Sequence, residues 1–484
     1  MPNIKKNFIY QSAYQLLLVL IPLALAPYIS RVLGAEKIGI YSYTDSIAKY
    51  FVMFSMLGIS HQGSRTIAAD RGNKTQLNKT FSDLLFLHLF VSVIICIVYS
   101  VYYICFVKEY KIYFAIQFLV VLSALFDINW LFIGLEQFKL AVIRSSLTKI
   151  TAVLCVFIFV KSPDDLWKFT LIMAAGTFAP NAILWFFLRR FVSLGKPSWN
   201  GIKSHIKPVV ILFIPVIAIS VYNVMDKVML GAMTDKIQLG FYTNSEKIIL
   251  IPLGFITAFN AVMIPRMSSI NAAGDKTTQS KLILSSMKYV MLIAFALTFG
   301  IAGISSCFAP VFFGEEFREC GILIKNLCVI VPFLAFQNVI TSQYLIPNYK
   351  DKTYMISTVA GAVINIIANL ILIPRFQAMG AIIGTIFAES IRCIIVSIAA
   401  GKNLPIFSYI KNSVFFILPG TLMYFSVRYI AVLMGETVLT VIIQVVAGAA
   451  LYLAVSASFL YITKDHYFIY GLIRFRNVLK KKLM

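Results

Sequence analysis

The feature that most constrains this chain is a series of long apolar runs separated by short polar breaks. There are about fourteen runs of roughly 20 residues each, the length that one helix needs to cross a bilayer. They lie at approximately 8–29, 38–60, 82–106, 112–134, 141–160, 168–188, 208–231, 239–263, 286–309, 322–346, 354–373, 380–400, 412–433 and 437–462. Lipid satisfies no backbone hydrogen bond, and the runs are far longer than barrel strands. The sequence therefore predicts an all-α polytopic membrane protein with about 14 transmembrane helices.

Composition excludes a water-soluble fold. Of the 484 residues, 60% are hydrophobic and only 13% are charged, whereas about a quarter of the residues of soluble proteins carry charge. The seven cysteines lie in or beside apolar runs without a C-x-x-C pair, which is typical of small core residues. We therefore expect neither a bound metal nor a cofactor.

The net charge of +23 reflects membrane topology rather than nucleic-acid binding. Most basic residues follow the even-numbered helices or lie in the C-terminal tail, so they fall on one side of the membrane. The positive-inside rule places that side, and with it both termini, in the cytoplasm. The basic tail is also suited to contact anionic headgroups of membrane lipids.

An internal repeat divides the chain into two halves. The series Gly39, Tyr41, Asp45 and Arg65 returns as Gly240, Tyr242, Glu246 and Arg266, with an offset of 201 residues at every position. Six spans separate the two copies, so both halves enter the membrane in the same direction, an arrangement that carries its binding site between the halves. We predict a six-helix lobe at 1–200, a second at 201–405, and an appended pair, helices 13 and 14, with the tail at 406–484.

Charged residues within or near the spans are the candidate site. Each costs about 2.5–3.5 kcal/mol at mid-helix on insertion scales, so it should face a wet cavity or a partner. The cations are Arg31, Lys49, Arg65, Lys227, Lys247, Arg266 and Arg392, the repeat-associated acids are Asp45, Asp226, Glu246 and Glu389, and Asp127 is expected inside helix 4. A cavity with this surplus of positive charge would attract an anionic, phosphate-bearing ligand.

A purely structural interpretation of these charges remains open. Asp45 and Lys49 at i,i+4, like Glu389 and Arg392 at i,i+3, share a helix face and can neutralise each other. Arg31, Arg65 and Arg266, near span ends, can extend to lipid headgroups. Asn365 and Asn369 are expected to form hydrogen bonds between helices.

Several segments together resemble a known family. These are Pro27–Gly34 with Gly39-Ile-Tyr41, Asp127–Lys139 continuing through Arg144 and Lys149, Asp226–Gly231 followed by Gly240–Tyr242, and the series Asn365, Asn369, Pro374, Gly380 and Glu389. They are similar to bacterial polysaccharide flippases of the Wzx type, over nearly the whole chain. The sequence departs from the family at Ile133, where many members carry Gln, and at Gln377-Ala-Met, where the loop usually contains a glycine.

The resemblance implies a member of the multidrug/oligosaccharidyl-lipid/polysaccharide exporter superfamily in the bacterial cytoplasmic membrane. Such proteins have two six-helix lobes around a cationic cavity. They move a polyprenyl-diphosphate-linked oligosaccharide from the cytoplasmic to the outer leaflet for capsule, O-antigen or exopolysaccharide synthesis. The partners implied are that lipid-linked sugar, membrane lipids, and the polysaccharide polymerase with its chain-length machinery.

The expected mechanism is alternating access by a transporter that is not an enzyme and has no catalytic residues. The seven cations would hold the diphosphate, and Tyr41, Tyr43 or Tyr242 would contact sugars. Asp45, Asp226, Glu246 and Glu389 would exchange protons or sodium to reset the cycle. No G-x-x-x-x-G-K-[ST] motif occurs in the sequence, so we do not expect the chain to consume ATP.

Two other classes remain as alternatives. A drug/cation antiporter of the same superfamily should have an acid-dominated cavity, whereas here cations exceed acids. A membrane-embedded glycosyltransferase or polymerase should carry a large outer loop or a carboxylate pair outside the spans. The outer connections near 161–168 and 310–321 are short, and Asp164-Asp165 is typical of a solvated loop.

The topology can be tested by cysteine labelling. In a cysteine-free variant, Lys196→Cys in the predicted cytoplasmic loop 189–207 should resist a membrane-impermeant maleimide in intact cells and react after permeabilisation. Asp164→Cys, in a predicted outer connection, is the matched control and should react in intact cells. Efficient labelling of position 196 from outside would reverse the orientation.

Overall fold

The structure, a computed structural model, describes residues 4–465 and 468–470, and most of the basic tail lies outside them. Every long element in this part of the chain is an α-helix. The helices are α1 Ile4–Met56, α2 Ile59–Asp70, α3 Lys74–Cys105, α4 Lys111–Leu125, α5 Asn129–Gly134, α6 Phe138–Phe159, α7 Leu166–Leu188, α8 Trp199–Met233, α9 Lys236–Ala272, α10 Lys276–Phe313, α11 Arg318–Leu327, α12 Ile330–Ile340, α13 Asp351–Gly401, α14 Ile406–Val414, α15 Ile417–Met434 and α16 Val438–Ile462. Nine helices within the described ranges are long and apolar enough to cross a membrane, or ten when the bent pair Glu315–Leu327 and Ile330–Leu345 counts as one span. The prediction of an all-α polytopic membrane protein is confirmed.

Two of the helical segments each contain a pair of predicted spans. Helix α1 has 53 residues, about 80 Å at ~1.5 Å per residue, so it is far longer than one ~30 Å hydrocarbon core. Its backbone leaves helical geometry at Gly34, with φ 76° and ψ 172°. Helix α13 breaks in the same way at Gln377, with φ 51° and ψ −129°. Each break separates two neighbouring spans.

The break at Gln377 falls where the sequence lacks the expected glycine. A positive φ is strained for a residue with a Cβ, which is why glycine usually occupies such positions. Gln377 is exposed, so its side chain can point to solvent while the backbone turns. Nearby Gly380 remains essential to the packing, because a Cβ there would lie 2.4 Å from the carbonyl oxygen of Leu372.

The span predicted at 112–134 is present as Lys111–Gly134, but a break in the helix within it corrects the placement of Asp127. Helix α4 ends at Leu125 and α5 begins at Asn129, with Asp127 in the break. Its Oδ1 accepts hydrogen bonds from the backbone N–H of Asn129 at 2.9 Å and from Nδ2 of Asn129 at 2.8 Å. Short acidic side chains bind local backbone donors in this way at helix starts. Asp127 therefore has local partners and is not a charge in the middle of a helix.

The described residues belong to two compact units. Unit 1 comprises Met1–Ile248 with Thr358–Ala388, and unit 2 comprises Ile249–Ser357 with Glu389–Met484. The lobe boundaries that the repeat predicts, 1–200, 201–405 and 406–484, stay a prediction. A core of unit 1 surrounds Trp130, whose ring lies 5.3 Å from that of Phe81.

In unit 2, α15 and α16 pack against α10. Met423, Val427 and Tyr452 are buried together, and the Tyr452 hydroxyl donates to the carbonyl of Leu292 at 2.7 Å. Just beyond α16, Asp465 forms an ion pair with Lys288 at 2.5 Å. Partial burial raises the pKa of Asp465, but the hydrogen bonds from Lys288, Phe468 and Tyr289 outweigh it and the pKa lies below its ordinary value. These bonds fix the end of α16 to α10.

The two copies of the repeat contact each other within unit 1. A Cβ added to Gly39 would lie 1.7 Å from the carbonyl oxygen of Lys236, and one added to Gly240 would lie 2.0 Å from the carbonyl oxygen of Ala35. One turn further on, the hydroxyls of Ser42 and Thr243 are 2.8 Å apart. The repeated glycines are therefore the positions where α1 and α9 approach backbone to backbone.

This contact predicts the effect of adding one methyl group. Gly39→Ala and Gly240→Ala should each lower the thermal unfolding midpoint of the purified protein, because overpacking at such sites costs about 1–3 kcal/mol or more. Gly72→Ala is the matched control, because its Cβ would meet nothing within 4 Å. Equal midpoints for all three variants in the same detergent would contradict the close contact.

Candidate functional site

Two ion pairs in unit 1 join four of the charged residues that the sequence analysis singled out. On α1, Lys49 Nζ lies 2.6 Å from Asp45 Oδ2. Between α8 and α9, Lys227 Nζ lies 2.6 Å from Glu246 Oε2. Lys49 is also close enough to Glu246 to interact with its charge. Acids and bases thus alternate across three membrane segments.

Both lysines of this cluster keep access to solvent. The side chain of Lys49 is 57% exposed and that of Lys227 is 20% exposed, although both lie inside long helices. A third lysine, Lys149 on α6, lies near enough to repel Lys49 electrostatically. The two lysine side chains are therefore not sealed inside the protein, and an anion that reaches them would compete with Asp45 and Glu246.

The other predicted cations are divided between the units. Arg31 and Arg65 are exposed in unit 1, where Lys247 donates to Oδ1 of Asn244 at 2.9 Å. Arg266 is exposed in unit 2. Arg392, also in unit 2, is largely buried. Five of the seven cations thus belong to the unit that contains the lysine cluster.

In unit 2, Glu389 is fully buried beside Arg392. The Arg392 Nη1 atom lies 3.1 Å from Glu389 Oε1, which is the i,i+3 pair that the sequence allows. Gln337 of α12 donates a further hydrogen bond to Oε2 of Glu389. A buried carboxylate is stable where a cation and a hydrogen-bond donor compensate its lost hydration.

Asp226 is buried in unit 1 and has neutral partners only. Its Oδ1 accepts from Asn369 Nδ2 at 2.6 Å, and its Oδ2 accepts from the hydroxyls of Thr385 at 2.8 Å and Tyr242 at 2.9 Å. No ion pair to Asp226 occurs among the residues that the structure describes. Neighbouring Lys227 points to Glu246 instead. Three neutral hydrogen-bond donors therefore surround the buried Asp226 carboxyl group.

The network also contains unsatisfied polar atoms. Asn369 Oδ1 and Asn365 Nδ2 are buried without a hydrogen-bond partner, and Asn369 Nδ2 lies 3.2 Å from Asn365 Oδ1. Gly384 makes room for the amide, because a Cβ there would lie 2.2 Å from Asn369 Oδ1. The carboxylate of Asp226, two hydroxyl oxygens and the unpartnered Asn369 Oδ1 nearby are oxygen ligands of the kind that a hard cation such as Na⁺ prefers, and the carboxylate can also take up a proton.

The three predicted sugar contacts have other neighbours in the structure. The ring of Tyr41 packs on Phe169 at 4.7 Å, and Tyr43 lies under the ammonium of Lys236 at 4.6 Å. Tyr242 is buried and its hydroxyl is used by Asp226. Sugar binding by these tyrosines stays a prediction.

Arg144 is a residue whose role the charge count missed. It is not among the predicted site residues, yet it is buried within α6. Its guanidinium donates to the carbonyl of Pro180 and, at 2.7 Å, to Oδ1 of Asn129. The available signal was the family resemblance, since the similar segment runs from Asp127 through Arg144. These bonds connect α5, α6 and α7.

Asp83 was also missed. It is buried near the start of α3, where Oδ1 accepts the backbone N–H of Ser198 at 2.6 Å. The neighbouring Ser82 hydroxyl accepts from the N–H of Gly195 at 2.9 Å. Together they hold the connection between α7 and α8, the segment that joins the two predicted lobes, against α3.

Comparison with known proteins defines the class of this membrane protein. A family model described as "Polysaccharide biosynthesis protein" matches residues 4–271, which is more than half of the chain. The chain is 22% identical over 374 residues to a Shigella dysenteriae protein named "Putative O-antigen transporter", covering 76% of this chain and 93% of that one. It is 25% identical over 225 residues to the lipid II flippase MurJ of Bacillus subtilis, covering 43% of this chain and 41% of that one.

Solved structures share the fold. A structure described as "Lipid II flippase MurJ, inward closed conformation" superposes with a TM-score of 0.74 at 15% identity, covering 95% of this chain and 99% of that one. An inward-facing multidrug resistance transporter of the MATE family gives 0.58 at 13% identity, covering 81% and 99%. The chain belongs to the polysaccharide biosynthesis protein family, in agreement with the resemblance of its sequence to Wzx-type flippases.

Proposed function

We propose that this chain is a flippase that moves a polyprenyl-diphosphate-linked oligosaccharide from the cytoplasmic to the outer leaflet of the bacterial cytoplasmic membrane. The transported unit would serve capsule, O-antigen or exopolysaccharide synthesis, and both termini would lie in the cytoplasm. The observation that carries the proposal is the accessible lysine cluster inside the membrane helices of a chain of this family. The relatives named as an O-antigen transporter and a lipid II flippase support it.

The lysine cluster suits a diphosphate headgroup for an electrostatic reason. A phosphate that leaves water for hydrocarbon loses its hydration, which makes unaided crossing very costly. Without substrate, Asp45 and Glu246 neutralise Lys49 and Lys227. An entering diphosphate replaces the carboxylates as the partner of the lysines, and Arg31, Arg65 and Lys247 add attraction from the same unit. Binding of the headgroup by Arg266 and Arg392, which belong to unit 2, stays a prediction.

Alternating access requires contacts that can break and reform. The contact between the two repeats consists of close packing at Gly39 and Gly240 and of the hydroxyl pair of Ser42 and Thr243, with no ion pair among the described residues there. We infer that the helices part here when the site opens to the outer leaflet. The polyprenyl chain would remain in lipid throughout.

Asp226 is the best-placed residue for ion coupling. Its neutral donors leave a net negative charge inside the bundle, so a proton or Na⁺ would be bound there without displacing a basic side chain. Asp45 and Glu246 already pair with lysines and Glu389 with Arg392. These three acids would respond to ions only after their partners move, so we assign them a secondary role.

A drug/cation antiporter remains the second candidate by fold alone. The MATE-family structure shares the architecture, but in this chain Asp45 and Glu246 are already paired with Lys49 and Lys227, so a cationic drug would have to compete with two lysines for them. An enzymatic role as a glycosyltransferase or polymerase has no support in the described carboxylates, whose buried members are engaged in the pairs and networks given above.

The headgroup assignment predicts a loss of transport when the lysines are removed. In vesicles with fluorescently labelled polyprenyl-diphosphate oligosaccharide, Lys49→Ala and Lys227→Ala should each slow leaflet exchange at least about tenfold, because a charge-assisted hydrogen bond contributes about 1.5–3 kcal/mol. Lys402→Ala, an exposed position at the end of α13, is the control and should retain the wild-type rate. Normal exchange in both cluster variants would refute the role of the lysines.

The coupling assignment predicts a loss of ion dependence at Asp226. Exchange by the wild type should respond to an imposed Na⁺ or proton gradient, and Asp226→Asn should make the rate independent of both, since the amide binds neither ion as a carboxylate does. Asp164→Asn, at an exposed turn, should leave the response intact. A gradient response that persists in Asp226→Asn would exclude Asp226 as the coupling residue.

A further inference from the structure

Unit 2 contains a large cavity that the proposed function does not use. Its volume is about 900 Å³, near the upper end of the roughly 300–1,000 Å³ typical of small-molecule sites. It lies among α10, α11, α12, α13, α14 and α15, and Phe295, Phe299, Phe333 and Phe336 form much of its wall. Such a wall favours hydrocarbon and disfavours water.

The cavity opens sideways onto the surface of the chain. Val329, Ile394 and Ile398 line it and are also exposed. Exposed apolar side chains on a helix of a membrane protein are suited to contact acyl chains, because hydrocarbon accommodates them at lower free energy than water does. The opening therefore admits a molecule from the bilayer rather than from water.

One cation, Lys325, lies at one end of this apolar cavity. Lys325 lies seven residues after Arg318, the first residue of α11, which places it about 10 Å along the helix. Arg318 itself pairs with Glu315 and Glu436 at 2.8 and 2.7 Å. No ion pair to Lys325 occurs in the ranges that the structure describes. Its ammonium lies 5.7 Å from the centroid of the Tyr424 ring, within reach of a cation–π contact.

We propose that this cavity is a binding site for an anionic phosphodiester lipid with an uncharged headgroup, such as phosphatidylglycerol. The phosphodiester binds Lys325 beside Tyr424, and an acyl chain lies against the phenylalanine wall. The wall extends from Ala302 to Met291 along α10, about 16 Å at ~1.5 Å per residue. That length matches half of a ~30 Å hydrocarbon core, the depth of one leaflet.

Charge complementarity selects this lipid over two others. A phosphodiester carries one negative charge, and Lys325 is the single cation among the residues that line the cavity. A diphosphate would bring further negative charge without a second cation to meet it. A zwitterionic headgroup would bring an ammonium close to Lys325, and like charges repel. The proposal is independent of the transported substrate and of the direction of transport.

The test is lipid binding to the full chain in detergent, measured by native mass spectrometry and by the thermal unfolding midpoint. Phosphatidylglycerol should bind in preference to phosphatidylethanolamine and raise the midpoint, and Lys325→Gln should weaken its binding at least about tenfold, the loss expected with a charge-assisted hydrogen bond. Lys352→Gln, an exposed lysine at the start of α13, is the matched control and should bind as the wild type does.

Measurements on the wild-type protein alone also test the proposed lipid site, so the test does not depend on correct folding of the variant. Equal binding of phosphatidylglycerol and phosphatidylethanolamine by the wild type would overturn it. Displacement of phosphatidylglycerol by an equimolar amount of polyprenyl diphosphate would also overturn it, because the carrier lipid would then be the occupant. Unchanged affinity in Lys325→Gln would show that the lipid binds elsewhere.

Discussion

A charge inside a membrane helix persists only where a partner compensates for its lost hydration, and the charged residues of this chain follow that constraint. Lys49 pairs with Asp45, Lys227 with Glu246, and Arg392 with Glu389. Asp226 differs, since only hydroxyls and an amide donate to it. The lysine ion pairs and the Asp226 network are therefore suited to different ligands. The lysines would bind an anion in place of a carboxylate, and Asp226 would bind a cation or a proton.

Close backbone packing is the second constraint on the site. Gly39 and Gly240 lack the Cβ atoms that would collide with the opposite segment, so the two repeats can meet directly. Small residues at helix contacts serve this purpose in membranes, where hydrophobic burial provides little driving force between helices. The same solution is used once in each repeat, which explains why the motif recurs with a constant offset.

Local geometry accounts for the site features that could be predicted from sequence. Asp45 and Lys49 share a helix face at i,i+4, so their ion pair requires only that α1 be helical there. Partners on separate helices were beyond prediction: Glu246 for Lys227, Thr385 for Asp226 and Gln337 for Glu389. The spacing of apolar residues along one helix does not show how that helix is rotated relative to its neighbours. This rotation determines which side chains of two helices are in contact.

Helix breaks show the same limit. Asp127 was expected inside a span because the apolar run at 112–134 is continuous, yet it lies between α4 and α5 and binds the backbone N–H of Asn129. Arg144 was not among the predicted site residues, but its buried guanidinium donates to Asn129 and to the Pro180 carbonyl. A long apolar run indicates that a segment lies in the membrane. It does not reveal one turn of irregular backbone, which is tolerated there when its polar groups form hydrogen bonds with neighbouring helices.

The amino-acid sequence by itself determined that this chain spans a membrane many times as helices, that it contains a repeat, and that positive charge exceeds negative charge at the repeated positions. Those properties depend on the solvent that each residue type tolerates and on spacing along one chain. Only the tertiary structure decided which charges pair, that Asp226 is left with neutral donors, and that an apolar cavity ends at Lys325. These depend on contacts between distant segments, for which a single sequence carries no distance information.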